Sequence, residues 1–210
     1  APGRSAGTRR WIALAVVCLA VVVIVMDGSI VNVAIPTLAV KLAGATNSRL
    51  QWVVDAYILS FASLLLTAGC AADRFGRRRV LFWGLGAFAL VSIGAALAAS
   101  STQLIFWRAM MGIGAAMIFP STLAIITDDF PEPSLRRTAI AIWAGTSGLG
   151  VAIGPVAGGW LLSHFHWGGI FLVNLPVVFV AMIGVRAFVI ESRDPHRSAF
   201  DPLGSLLAIL

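Results

Sequence analysis

Six stretches of the chain, at about 11–36, 51–71, 80–99, 103–126, 138–162 and 168–189, are apolar over close to the roughly 20 residues that a helix needs to cross a hydrocarbon layer. Such runs leave few folds open. Backbone groups in lipid must be bonded inside the protein, so the pattern predicts an all-α bundle of six membrane spans over 11–189. Residues 1–10 read as a polar tail and 190–202 as a linker. Composition agrees: 11% of residues are charged, against about a quarter in soluble domains.

The net charge of +6 raises the question of nucleic acid. Its carriers, all Arg but for Lys41, stand in short clusters between apolar runs and form no continuous cationic track, so no nucleic-acid partner is expected. The partner they imply is the bilayer. Alternate connections hold 3 basic residues in the tail, 4 in the island 73–79, 2 at 136–137 and 3 at and beyond the end of span 6, whereas the opposite connections hold only Lys41 and Arg49. Under the positive-inside rule both ends of the six-span unit lie in the cytoplasm, in a multi-pass protein of the plasma membrane.

Arg4, Arg9 and Arg10 ahead of Trp11 look like the start of a signal segment. No small-residue cleavage site follows and the apolar run continues to Pro36, so a retained first span is expected. At the other end an apolar run restarts at Leu203 and stops at Leu210, which reads as the truncated start of a seventh span and the chain as a fragment. Pro36-Thr37-Leu38-Ala39 closing span 1 is echoed by Pro120-Ser121-Thr122-Leu123-Ala124 closing span 4, as two three-helix repeats would produce. Cys18 and Cys70, in or at the edge of spans, read as small buried hydrophobes, and no disulfide is implied.

Three ionisable residues other than His lie well inside the spans: Asp27, Asp55 and Arg108. Each costs about 2.5–3.5 kcal/mol at a helix centre and so demands a reason. At 1.5 Å per residue, Asp27 lies about 24 Å from the inner edge, and Asp55 and Arg108 fall in the same outer layer. One carboxylate neutralising Arg108 is the structural explanation, yet two acids for one base leave a spare. Burial disfavours a carboxylate's charge and a guanidinium favours it, and a balance between the two suits a group that takes up and releases protons. Asp27 is the expected proton or cation carrier and Arg108 its tuner, with Asp55 less deeply placed. Tyr57 and Asn32 could add hydrogen bonds.

Two further features suggest movement. Span 5 carries Gly145, Gly150, Gly154, Pro155, Gly158 and Gly159, and the four-residue spacing of Gly150, Gly154 and Gly158 lays a groove along one face where another helix can approach. Pro155 removes a donor and invites a kink. In the island, Gly69 and Gly76 permit a sharp turn, and Asp73 can accept backbone hydrogen bonds at a helix N-terminus. Arg77 could reach Asp128 or Asp129 and, with Arg74, either latch one conformation or simply anchor the loop.

Taken together these motifs resemble the major facilitator superfamily, and within it the 14-span drug:proton antiporters. Met26-Asp27-Gly28-Ser29-Ile30-Val31-Asn32-Val33-Ala34-Ile35-Pro36 resembles that family's span 1 signature, with Ser29 where Thr is usual. Gln51-Trp52-Val53-Val54-Asp55-Ala56-Tyr57 is similar to its span 2 opening, and Gly69 to Arg79 to the loop 2–3 motif, with Ala71 in place of Leu. Gly154-Pro155-Val156-Ala157-Gly158-Gly159 resembles the antiporter motif of span 5. Met111 stands where Gln is usual, removing a polar neighbour of Arg108.

The resemblance implies alternating access between two six-span bundles, exporting lipophilic, cationic drugs or an antibiotic in exchange for protons, with no cofactor. It also implies that the span 5 groove and the loop 2–3 latch work against helices of a missing C-terminal half, so that the chain alone does not transport. The alternative on the same fold is a non-transporting sensor or assembly subunit. An intramembrane enzyme is not expected. His164 and His166, the one close histidine pair, have no Cys or carboxylate near in sequence to complete a metal site.

Overall fold

The computed structural model describes residues 2–192. The rest of the expected linker and the expected start of a seventh span lie outside the described residues. Seven helices follow in order: α1 (Pro2–Lys41), α2 (Asn47–Phe75), α3 (Arg77–Ala96), α4 (Ser101–Asp129), α5 (Pro133–His164), α6 (Gly169–Leu172) and α7 (Asn174–Phe188). The last two form a single span, giving, among the described residues, six helices long and apolar enough to cross a membrane. Pro176 explains the break between them, because it has no N–H to give the carbonyl of Leu172 one turn back.

Local chemistry sets the helix ends. Thr46 caps α2 through its hydroxyl, which accepts from the Arg49 N–H at 3.3 Å. Ser100 caps α4 by accepting from Gln103 N–H at 3.3 Å, while Gln103 Oε1 reaches back to Ala99 N–H at 2.8 Å. Pro133 opens α5, where its missing donor costs nothing. Most of the helices overrun their apolar windows, since a capped helix continues into polar sequence. They also run on through Pro36, Pro120 and Pro155, none of which ends its helix.

Helices α1 and α4 form the centre. Over their most apolar stretches 61% and 56% of residues are buried, against 22% in α2 and 17% in α5, which lie at the outside. Helix α1 rests mainly on α5 and α7, and α4 mainly on α2 and α3. Exchanging each element of the first three spans with its counterpart in the second three maps one set of neighbours onto the other, as the echo around Pro36 and Pro120 suggested. Most of the core is apolar, with Val17, Val21, Ile30, Leu38, Leu85, Phe88, Leu104 and Ile118 fully or almost fully enclosed. Cys18 is buried there, but Cys70 faces outward rather than inward.

Candidate functional site

Asp27 of α1 and Arg108 of α4 meet between the two central helices, both with no exposed surface. Arg108 Nη1 donates to Asp27 Oδ2 at 2.5 Å. A buried guanidinium needs more than one partner, and Arg108 has them from several elements. Its Nε donates to the Val53 carbonyl of α2 at 3.1 Å, and its guanidinium carbon lies 4.3 Å from the centre of the Tyr57 ring and 6.0 Å from that of Phe171. Met111 Sδ, one turn along α4, lies 3.8 Å from Nη1, a weak acceptor in the place of an amide. Arg108 Nη2 is buried and has no hydrogen-bond partner among the described residues.

The second carboxylate oxygen has a partner of its own. Asn174, at the start of α7, donates from Nδ2 to Asp27 Oδ1 at 2.8 Å and lies 3.5 Å from Ser92 Oγ of α3. Asp27 is thereby held by a cation on one side and a neutral amide on the other, with Tyr57 and Ser92 behind them. The Tyr57 hydroxyl does not touch the acid. It donates to the Ile24 carbonyl at 2.9 Å, so the contribution of Tyr57 to the site is its ring face.

Two expected members stand apart. Asp55 is half-buried and, among the described residues, has no hydrogen-bond or ion-pair partner, because Val53 and Tyr57 turn toward Arg108 and Asp55 between them points elsewhere on the helix. Asn32 is exposed and returns its amide to the Gly28 carbonyl of its own helix at 3.3 Å.

At the basic end, α2 and α3 meet at Gly76, whose φ of 110° is open to glycine and strained for other residues. Asp73 lies in the last turn of α2 and accepts from Arg77 Nε at 2.9 Å and pairs with Nη2 at 2.8 Å, instead of capping a helix. Arg77 also pairs with Asp128 and donates to the Ala124 carbonyl at 3.3 Å, tying α3 to α4. Asp129 is bound instead by Arg9 of α1, at 3.7 Å. Arg74 is exposed over the Phe75 ring, 5.7 Å from its centre, and a β-carbon added at Gly69 would make an ordinary contact with Pro120 at 3.7 Å.

The carboxylate that does cap a helix here is Glu191. Its Oε1 accepts the Arg78 N–H of α3 at 3.2 Å, Oε2 lies 3.5 Å from Arg79 Nε, and the neighbouring Ser192 carbonyl accepts the Arg77 N–H at 3.1 Å. A β-carbon on Gly76 would stand 2.5 Å from Glu191 Oε1. The chain leaving the last span is thus seated in the loop 2–3 motif, inside this one bundle.

The span 5 glycines divide between two faces. Gly150, Gly154 and Gly158 are buried against α1, where added β-carbons would meet Val25 at 3.0 Å, the Ser29 hydroxyl, and Ile30 at 2.7 Å. That series was expected to meet helices of another half. It is filled by α1 because the four-residue spacing fits the helix that rides along it. Ser29 fastens the seam through its single hydroxyl proton, shared between the Gly150 carbonyl at 3.2 Å and the Met26 carbonyl at 3.0 Å. Gly145, Pro155 and Gly159 lie on the exposed face, and a β-carbon at Gly145 or Gly159 would meet nothing within 4 Å.

Asn174, Ser92 and Glu191 escaped the sequence reading. Asn174 carried a readable signal, being an amide within a strongly apolar span two residues before a proline, a polar group that lipid cannot satisfy. Glu191 lies beyond the last apolar window, where one acid among nearby arginines says nothing of a cap.

The family model of the Major Facilitator Superfamily matches residues 17–208. The chain is 44% identical to the multidrug efflux pump LfrA of Mycolicibacterium smegmatis, over 96% of its own length and 40% of that protein's. It is 41% identical to the methyl viologen resistance protein SmvA of Salmonella typhimurium, over 83% of this chain and 35% of that one, and 38% identical to the puromycin resistance protein of Streptomyces alboniger, over 95% and 39%. It therefore spans about 40% or less of the length of these relatives. Among solved structures, the proton:xylose symporter XylE superposes with a TM-score of 0.74 at 16% identity, over 86% of this chain and 45% of that one.

Proposed function

Since this chain belongs to the Major Facilitator Superfamily, we propose that it supplies one six-helix bundle of a proton-coupled exporter of lipophilic, cationic drugs or antibiotics. The observation that carries the reading is the enclosure of Asp27 with Arg108 between α1 and α4, both without exposure. An acid with no surface cannot be a drug contact in this conformation. It can hold a proton, and doing so frees Arg108 from its ion pair and weakens the tie between the central helices. The sequence relatives above, named as a multidrug efflux pump, a methyl viologen resistance protein and a puromycin resistance protein, support the cargo class.

The outer helices supply the setting. Trp52, Ile58, Leu66, Leu149, Ile153 and Val156 leave α2 and α5 with exposed apolar faces, suited to lipid or to a second bundle with a drug passage between. The Arg77 and Glu191 clusters lie at the basic end, which the positive-inside rule assigns to the cytoplasm of a plasma-membrane protein. The exposure of Asn32, the partial exposure of Asp55 and their separation from the ion pair support a role in meeting cargo over one in carrying the proton.

The test is transport by the full-length protein in inverted vesicles, using a fluorescent lipophilic cation and an imposed pH gradient. Gradient-driven accumulation that disappears in Asp27→Asn is the expected result. Accumulation by the variant at the wild-type rate would overturn the proton-carrier role.

A further inference from the structure

The two oxygens of Asp27 are served by unlike partners, and only one of them can change its role. Arg108 on Oδ2 is a donor in every state. Asn174 on Oδ1 is an amide, with a donor at one end and an acceptor at the other, and its acceptor is idle: Asn174 Oδ1 is buried without a hydrogen-bond partner among the described residues. A fully buried amide with an unused oxygen beside an acid is an arrangement that calls for explanation.

We propose that Asn174 is a positioning residue that serves both charge states of Asp27 by turning its amide about the Cβ–Cγ bond. The inference rests on the proton-carrier reading above. With Asp27 charged, Nδ2 donates to Oδ1, as observed. When a proton from water bonds to Oδ1, that oxygen becomes a donor and the amide N–H loses its acceptor. A half-turn then places the amide oxygen where the nitrogen stood, to accept the carboxyl O–H, and loss of the proton to water reverses the turn.

Ser92 makes the turn feasible. Its hydroxyl donates to the Phe88 carbonyl at 2.8 Å and lies 3.5 Å from Asn174 Nδ2, so it acts there as an acceptor and, by rotating its proton, can act as a donor to an amide oxygen in the same place. Each orientation leaves one end of the amide unpaired, the oxygen now and the nitrogen after the turn. The surroundings therefore favour neither strongly, and the charge on Asp27 decides. The other groups around the ion pair are Arg108 from α4, the Tyr57 ring from α2 and the Phe171 ring from α6, and none of these exchanges donor for acceptor.

Infrared difference spectra of the full-length protein in lipid, recorded between high and low pH, test this. The expected spectrum holds a carboxyl band that Asp27→Asn removes, together with a side-chain amide band that moves on isotopic labelling of asparagine. Asn174→Leu should abolish the amide band and move the carboxyl band to higher wavenumber. Ser92→Ala, a smaller change for the fold, should shift the amide band and leave the carboxyl band in place. A carboxyl band unmoved by Asn174→Leu, or wild-type spectra without the amide band, would overturn the role of Asn174 and leave the proton carrier standing. Absence of the Asp27 carboxyl band in the wild type would overturn both.

Discussion

Gly154 of α5 and Ser29 of α1 meet so closely that a β-carbon on the glycine would collide with the serine hydroxyl, and the Met26 carbonyl lies only 3.0 Å from the same point. Ser29 is two residues from Asp27, so the helix that bears the acid is seated on α5 through the smallest side chain available. Gly154→Ala should destabilise the full-length protein by about 1–3 kcal/mol, the usual cost of overfilling a close contact. Thermal melting in detergent measures this. Gly159→Ala, with open space around it, should leave the melting temperature unchanged, and Ser29→Ala should restore part of the loss in Gly154→Ala.

Tyr57 allows the ring and the hydroxyl to be separated. The guanidinium of Arg108 sits 4.3 Å over the ring, a desolvated cation–π contact worth about 2 kcal/mol. The hydroxyl is committed to the Ile24 carbonyl and contributes about 1 kcal/mol. Tyr57→Phe should therefore keep most of the stability, and drug export should persist. Tyr57→Leu should lose more, with export falling alongside thermal stability. Equal losses in the two variants would show that the hydroxyl, not the ring, is what the site uses.

At the basic end Glu191 and Gly76 form a second close pair. Glu191→Gln keeps the shape of the cap and removes its charge, so a loss of about 0.3–1 kcal/mol is expected, diminished by salt. Gly76→Ala adds both a clash with Glu191 and a side chain at a φ of 110°. Its loss should be greater, about 1–3 kcal/mol, and should persist in part in a Glu191→Ala background, where the clash is gone and the backbone strain remains. Melting of the wild type, the three single variants and the double variant at low and high salt separates the contributions.

How far these relationships could be read in the chain depends on the distance over which they act. Six spans follow from apolar length alone, and the meeting of Asp27 with Arg108 from the cost of leaving either unpaired in lipid. Arg77 with Asp128 followed from charge at the same end of the bundle. What the sequence left open was which side of a helix faces which neighbour. Asp55 was grouped with the ion pair by depth, yet depth does not fix azimuth, and Val53 and Tyr57 took the inward face. The spacing of Gly150, Gly154 and Gly158 predicts a groove but not the helix that fills it, and these three face α1 while Gly145, Pro155 and Gly159 face outward. Asp73 was given a capping role that Glu191 fills from more than a hundred residues away, a pairing that no local pattern encodes.

If Asp27 exchanges its proton as drug binds, as proposed above, the purified full-length protein must release protons on binding. Adding a lipophilic cation to weakly buffered protein in detergent should release protons in proportion to the drug bound, and Asp27→Asn should bind drug with no release. Release by Asp27→Asn equal to that of the wild type would contradict the account and assign the proton to another group.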